Sequence, residues 1–240
     1  MRYHLIDNVR GINLISMMAY HLVWDLVYLF GQDWAWYRLD LAYVWQQAIC
    51  WTFILLSGFC WSMGHHRLRR GLIVFVAGAL VTAVTVLFMP QDVVIFGVLT
   101  LLGSCMLLMI PLEYVCRRVP PIVGLAVSVL LFAVTRNISR GELGFEGMHL
   151  LSLPETWYHH GYLMTYLGLK DATFFSTDYF AMIPWLFLFV AGYFLYRWIG
   201  IPKWFTGHRI PMLSWIGQHS LILYMVHQPV IYAILLIVLT

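Results

Sequence analysis

The stretch from Gly11 to Phe30 is apolar and long enough to cross a bilayer, which needs about 20 such residues. Yet it holds His21 and Asp25 within it and follows directly on Asp7 and Arg10. At about 100° per residue these side chains project within a sector of about 60°, with Asn13 about 60° to the side of Arg10. Lipid does not solvate ionisable groups, so at membrane depth they face a bundle interior or an aqueous cavity. A polar seam that only joins helices is the bland alternative. Such a seam rarely needs a cation, an imidazole and a carboxylate in line.

The rest of the chain is built in the same way. Hydrophobic residues make up 62% of the 240 positions and charged ones 10%, with a mean hydropathy of +0.80. That is the composition of an integral, multi-pass membrane protein whose first partner is the lipid bilayer. A net charge of +3, thinly spread, gives no reason to expect nucleic acid. Seven segments are apolar enough to span: 11–30, 42–63, 71–89, 93–115, 120–135, 179–197 and 213–238. The expected class is therefore an all-α polytopic membrane helix bundle of about seven transmembrane helices, forming a single domain over 1–240. The first segment lacks a small-residue cleavage site and is expected to remain as an anchor.

Basic residues set the orientation. With the N-terminus cytoplasmic, Arg2, Arg10, Arg67, Arg69, Arg70, Arg117, Arg118, Arg197, Lys203 and Arg209 lie inside. Only Arg38, Arg136, Arg140 and Lys170 fall outside. The balance does not decide whether 120–135 crosses, because deleting that span leaves it unchanged. Pro90, Pro120, Pro121, Pro202 and Pro211 fall in or beside connections, where a missing N–H matters least. Cys50, Cys60, Cys105 and Cys116 read as small buried apolar residues, and no Cys or His spacing suggests a metal.

His21 and Asp25 are i,i+4 neighbours, so a carboxylate can hold and charge-stabilise an imidazole, the orienter and base of an acid–base site. A second polar face in the last span presents Ser220, Tyr224 and His227, with Gln228 beside them. His227 lies at about the depth of Asp25, roughly 20 Å from the start of its segment, so the faces can meet. Ser57 and Gly58 permit close backbone approach, to another helix or to a long thin ligand. In the connection 136–178, Trp157 and neighbouring aromatics beside carboxylates suit sugar stacking as well as an interfacial belt.

These residues resemble a known family. The opening RYHLIDNVRGINLISMMAYHLVWDL, Arg2 to Leu26, is similar to the start of the catalytic domain of heparan-α-glucosaminide N-acetyltransferase and its bacterial relatives. Arg10, ten residues and His21 also follow the pattern of related acyltransferases that O-acetylate surface polysaccharides. Further likenesses are FILLSGFCWS at 53–62, FGVLTLLG at 96–103, STDYFAMIPWLFLFVAGY at 176–193 and LSWIGQHSLILYMVHQPV at 213–230.

The resemblance implies a transmembrane acyltransferase of a bacterial plasma membrane. It would take an acetyl or short acyl group from cytoplasmic acetyl-CoA or another acyl-CoA and give it to a hydroxyl or amine of an extracytoplasmic saccharide. His21 and Asp25 would then be catalytic. Arg10, Asn13, Ser57 and Gly58 would hold the donor, and Asp178, Trp157, Tyr224 and His227 the acceptor. No metal is implied, and assembly as a homo-oligomer is compatible. One departure is that no His occurs between His21 and His65, where the lysosomal enzyme has one beyond its first helix. A transporter using His21 and Asp25 as a proton relay is the competing reading. No inverted repeat favours it.

Overall fold

The computed structural model describes residues 3–201, 205, 207 and 209–239. Arg2, Pro202 and Lys203 lie outside the described residues. The helices are α1 (His4–Tyr28), α2 (Asp40–Trp61), α3 (Arg67–Phe88), α4 (Val98–Cys116), α5 (Pro121–Val134), α6 (Gly161–Leu167), α7 (Met182–Ile199), α8 (Pro211–Gln218) and α9 (Ser220–Leu239). One antiparallel hairpin, β1 (Glu142–Phe145) with β2 (Met148–Ser152), lies in the long connection. This is the expected all-α polytopic membrane class.

Prolines mark several boundaries as their chemistry requires. Pro121 and Pro211 open α5 and α8 at the first helical position, where no N–H is needed. Met89, preceding Pro90, leaves helical geometry and ends α3. Among the described residues, 6 helical segments are long and apolar enough to cross a membrane: α2, α3, α4, the stretch Pro121–Arg140, α7 and α9. α1 is longer, at 25 residues, but its polar stripe dilutes its hydropathy.

The expected segment 213–238 is not one helix. It breaks at His219, whose backbone leaves helical geometry (ψ 19°), into α8 and α9. Ser214 and Gln218, one turn apart, fasten α8 to α1 and hold it there. Pro229 leaves α9 unbroken, as membrane helices permit.

The helices group into two compact units, Met1–Phe53 with Ile201–Thr240, and Ile54–Gly200. In the first, α1 packs on α8, α9 and the beginning of α2, around Leu14, Met17 and Ile49. α8 runs antiparallel to the start of α1 with backbones in direct contact. A Cβ on Gly11 would strike the Leu213 carbonyl, and one on Gly217 the Asp7 carbonyl. Lipid offers no hydrophobic drive between helices, so van der Waals contact at such small residues carries the association.

The second unit uses the same device. Gly78 and Gly103 join α3 to α4, and Gly58 and Gly192 join α2 to α7, each against the opposing backbone. At one end of this unit stand Arg67, Arg69, Arg70, Arg117, Arg118 and Arg197. Arg67 pairs with Glu113 and lies 4.2 Å from the Trp61 ring centroid. Arg197 donates to the carbonyls of Cys116, Val119 and Arg117 at 2.7, 3.0 and 3.2 Å, satisfying groups that the end of α4 leaves open. The hairpin and α6 occupy the opposite end. There Asn137, 2% exposed, donates to Glu142 Oε1 at 2.9 Å and to the Glu146 carbonyl at 2.8 Å.

Gly11→Val and Gly217→Val should each force α1 and α8 apart, at about 1–3 kcal/mol of overpacking. Gly147→Ala, with open space around it, should stay within about 0.5 kcal/mol of the parent. Thermal unfolding in detergent checks both. Valine variants as stable as Gly147→Ala would show that backbone contact contributes nothing.

Candidate active site

The stripe on α1 faces α8 and α9, and hydrogen bonds cross the contact like rungs. Gln218 Nε2 donates to Asp7 Oδ2 at 3.1 Å, and Ser214 Oγ to Asn8 Oδ1 at 2.7 Å. Further along, Gln228 Nε2 donates to Asp25 Oδ1 at 2.6 Å, and Asp25 is 0% exposed. A short bond to a carboxylate is among the stronger kinds, and deep burial strengthens it. Asn13 lies beside this face and donates to the Ile49 carbonyl of α2 at 3.0 Å.

Between the rungs the face changes character. The His21 and His227 rings lie 4.8 Å apart at 55°, and the Tyr224 ring lies 5.4 Å from His227, tilted at 56°. The i,i+4 geometry allowed Asp25 to hold His21; in the structure Asp25 takes Gln228 and His21 faces His227. His227 Nδ1 is bonded to the Tyr224 carbonyl, whereas its buried Nε2 and the buried Gln228 Oε1 have no hydrogen-bond partner among the described residues. Buried polar atoms are normally hydrogen-bonded, so these two acceptors stand out on the face. Arg10, four turns below Asp25 on α1, is half-buried. A guanidinium there can fork to a phosphate.

The remaining predicted residues belong to the second unit. Gly58 is buried against the Phe189 carbonyl of α7, and Ser57 beside it is half-buried. Trp157 stands out at 47% exposure. Asp178 Oδ2 accepts from the Val98 N–H at 3.2 Å, so a distant carboxylate caps α4. Its own segment is tied down by Ser176 Oγ, which accepts from Ile95 N–H at 2.9 Å, and by Phe180 N–H, which donates to the Phe96 carbonyl at 2.9 Å. The loop aromatics pack largely on one another. Phe96 meets Tyr166 at 4.8 Å and Phe174 at 5.8 Å.

Sequence reasoning missed the rungs through Asn8, Ser214 and Gln218. Their signal was present, since Ser214 and Gln218 are spaced i,i+4 on an otherwise apolar segment. Among the described residues, no group of 3 or more His, Cys, Asp or Glu gathers as a metal ion needs.

Burial pushes the Asp178 carboxyl up to about 6, against the opposing pull of the Val98 N–H. An unfolded Asp releases its proton near pH 4, so between about pH 4 and 6 the unfolded chain binds fewer protons than the folded one. Stability contributed at Asp178 therefore falls as pH rises through that window and levels off above it. Asp178→Asn keeps an acceptor for Val98 and lacks this fall. Melting temperatures of parent and variant should differ most in the parent's favour at about pH 4. A difference independent of pH would exclude a raised carboxyl.

No curated protein and no solved structure matches the chain. The family described as heparan-alpha-glucosaminide N-acetyltransferase, catalytic, matches residues 2–229, which takes in α1, α8 and α9 as far as His227 and Gln228. Nearly the whole chain, with both faces of the polar contact, thus belongs to the heparan-α-glucosaminide N-acetyltransferase catalytic family.

Proposed function

We propose that this protein moves an acetyl or other short acyl group from cytoplasmic acyl-CoA to a hydroxyl or amine of an extracytoplasmic glycan or lipid-linked saccharide. Family membership supports a transmembrane acetyltransferase in general. The observation that carries the finer reading is the His21–His227 ring pair, 4.8 Å apart, beside the buried Asp25–Gln228 bond. Acyl transfer to a hydroxyl needs a group that takes a proton while the new bond forms. Imidazoles do this near neutral pH, typically for 10²–10⁴-fold in rate.

Donor binding is assigned to Arg10, on the same helix as His21. Roughly 16 Å of helix separates them, a span that an extended pantetheine arm can cover with its phosphates at Arg10 and its thioester near the rings. The Arg-rich end of the second unit supports an orientation with that end in the cytoplasm. In this reading the opposite end, with Trp157, faces outward.

Purified protein incubated with radiolabelled acetyl-CoA should release CoA and pass label to cell-envelope glycan. No CoA release and no label transfer would overturn the reading. His21→Ala removes one ring of the pair and should lower transfer while acetyl-CoA binding persists; wild-type turnover would remove His21 from the site. Arg10→Lys keeps the charge but loses the planar fork, and should weaken acetyl-CoA binding about tenfold. Unchanged donor affinity in Arg10→Ala would free that residue of its role.

A further inference from the structure

We propose that His227 is the proton acceptor of the transfer step, and that its free nitrogen recognises the X–H group of the acceptor. The proposal rests on the acyltransferase reading and assigns a role within it. A carbonyl oxygen can only accept, so the bond between His227 Nδ1 and the Tyr224 carbonyl places the ring proton on Nδ1. The lone pair is thereby fixed on Nε2. His227 is 8% exposed, and Nε2 is buried with no hydrogen-bond partner among the described residues.

Gln228 repeats the pattern on the next residue. A carboxylate also only accepts, so the Asp25 bond fixes the amide nitrogen toward Asp25 and turns Oε1 away. Oε1 too is buried and lacks a partner among the described residues. Leaving a buried acceptor unmade costs about 1–3 kcal/mol, and here two such acceptors follow one another on α9. The complement of such an acceptor is a donor: a hydroxyl or an amine N–H. A phosphate or carboxylate would bring only further lone pairs.

His21 lacks this preparation. It is half-buried, and neither of its ring nitrogens has a hydrogen bond among the described residues, so nothing fixes its tautomer. The orienting task that a carboxylate performs for many catalytic imidazoles falls, at His227, to a backbone carbonyl.

The step then balances. The acceptor O–H gives its proton to His227 Nε2 as the oxygen bonds to the carbonyl carbon of the acyl thioester. The tetrahedral intermediate collapses, the C–S bond breaks, and the electron pair leaves on sulfur. The proton passes from Nε2 to that thiolate, giving an ester, free thiol and neutral His227. A neutral amine attacks without prior deprotonation and depends less on the base.

His227→Asn tests the assignment, because its amide N–H can replace Nδ1–H toward Tyr224 while no basic nitrogen remains. Wild type and variant are assayed with acetyl-CoA and two probes, methyl glucoside as hydroxyl and glucosamine at alkaline pH as amine. Transfer to the hydroxyl should fall about 100-fold or more, transfer to the amine distinctly less, and acetyl-CoA binding should not change. A merely structural role would reduce both transfers alike, and that result, or wild-type transfer to the hydroxyl, overturns the proposal. Nitrogen NMR of ring-labelled histidine adds a readout independent of turnover: Nε2 should be the unprotonated nitrogen of His227 at rest, and a protonated Nε2 overturns the assignment. If the wild type itself transfers nothing, the acyltransferase reading fails and takes the proposal with it. That result differs from an active Asn variant, in which only the choice of base falls.

Discussion

Asp25 is wholly enclosed by protein, and a carboxylate so placed is tolerable only when hydrogen-bonded. Its bond to Gln228 does more than relieve that cost. It fixes where α9 lies along α1, because a shift of one residue would carry the amide about 100° round the helix. Once that alignment holds, His227 comes to face His21, and Phe30 meets Tyr232 with ring centroids 6.1 Å apart. The rest of the polar face follows from this one rung.

The rungs at Asp7 and Asn8 fasten the other end of the same face, and they do so through α8 rather than α9. Small residues make this possible. Gly11 and Gly217 bring two backbones into contact, shortening the distance that Ser214 and Gln218 must reach. Hydrogen bonds between helices in lipid are individually modest, about 0.6 kcal/mol on average, so close packing and polar rungs support one another. The face is not uniform. Asp7, Asn8 and Asp25 are engaged across the contact, whereas His227 Nε2 and Gln228 Oε1 are buried without a hydrogen-bond partner among the described residues.

The second unit shows how one loop segment serves two helices. Asp178 caps α4 while Ser176 and Phe180 tie the same short stretch to residues 95–96, just before α7 begins. A loop tied at so many points is a rigid platform, with Trp157 exposed beyond the tied segment. At the opposite end, Arg197 closes the carbonyls of α4, which lets a cation sit at a helix C-terminus where the dipole favours it.

The sequence by itself determined the membrane class, because apolar runs of this length admit few other solutions, and it determined which face of α1 is polar, because helical periodicity is a local property. Counting residues from 213 put His227 near the depth of Asp25, but that count takes 213–238 as one helix; with α9 beginning at Ser220, the packing of α9 on α1 sets its height. The break at His219 was not legible: the i,i+4 pair Ser214 and Gln218 marks a polar edge on the segment, but only Asn8 and Asp7 opposite show that it belongs to a separate helix. Nor was the partner of Asp25. Within α1 alone His21 is the natural neighbour, one turn away, and only the packing of α9 substitutes Gln228 and leaves two imidazoles facing each other. Spacing along a helix fixes direction and height, but which side chain fills the space in front is decided by the helix that arrives there, over 200 residues later in the chain.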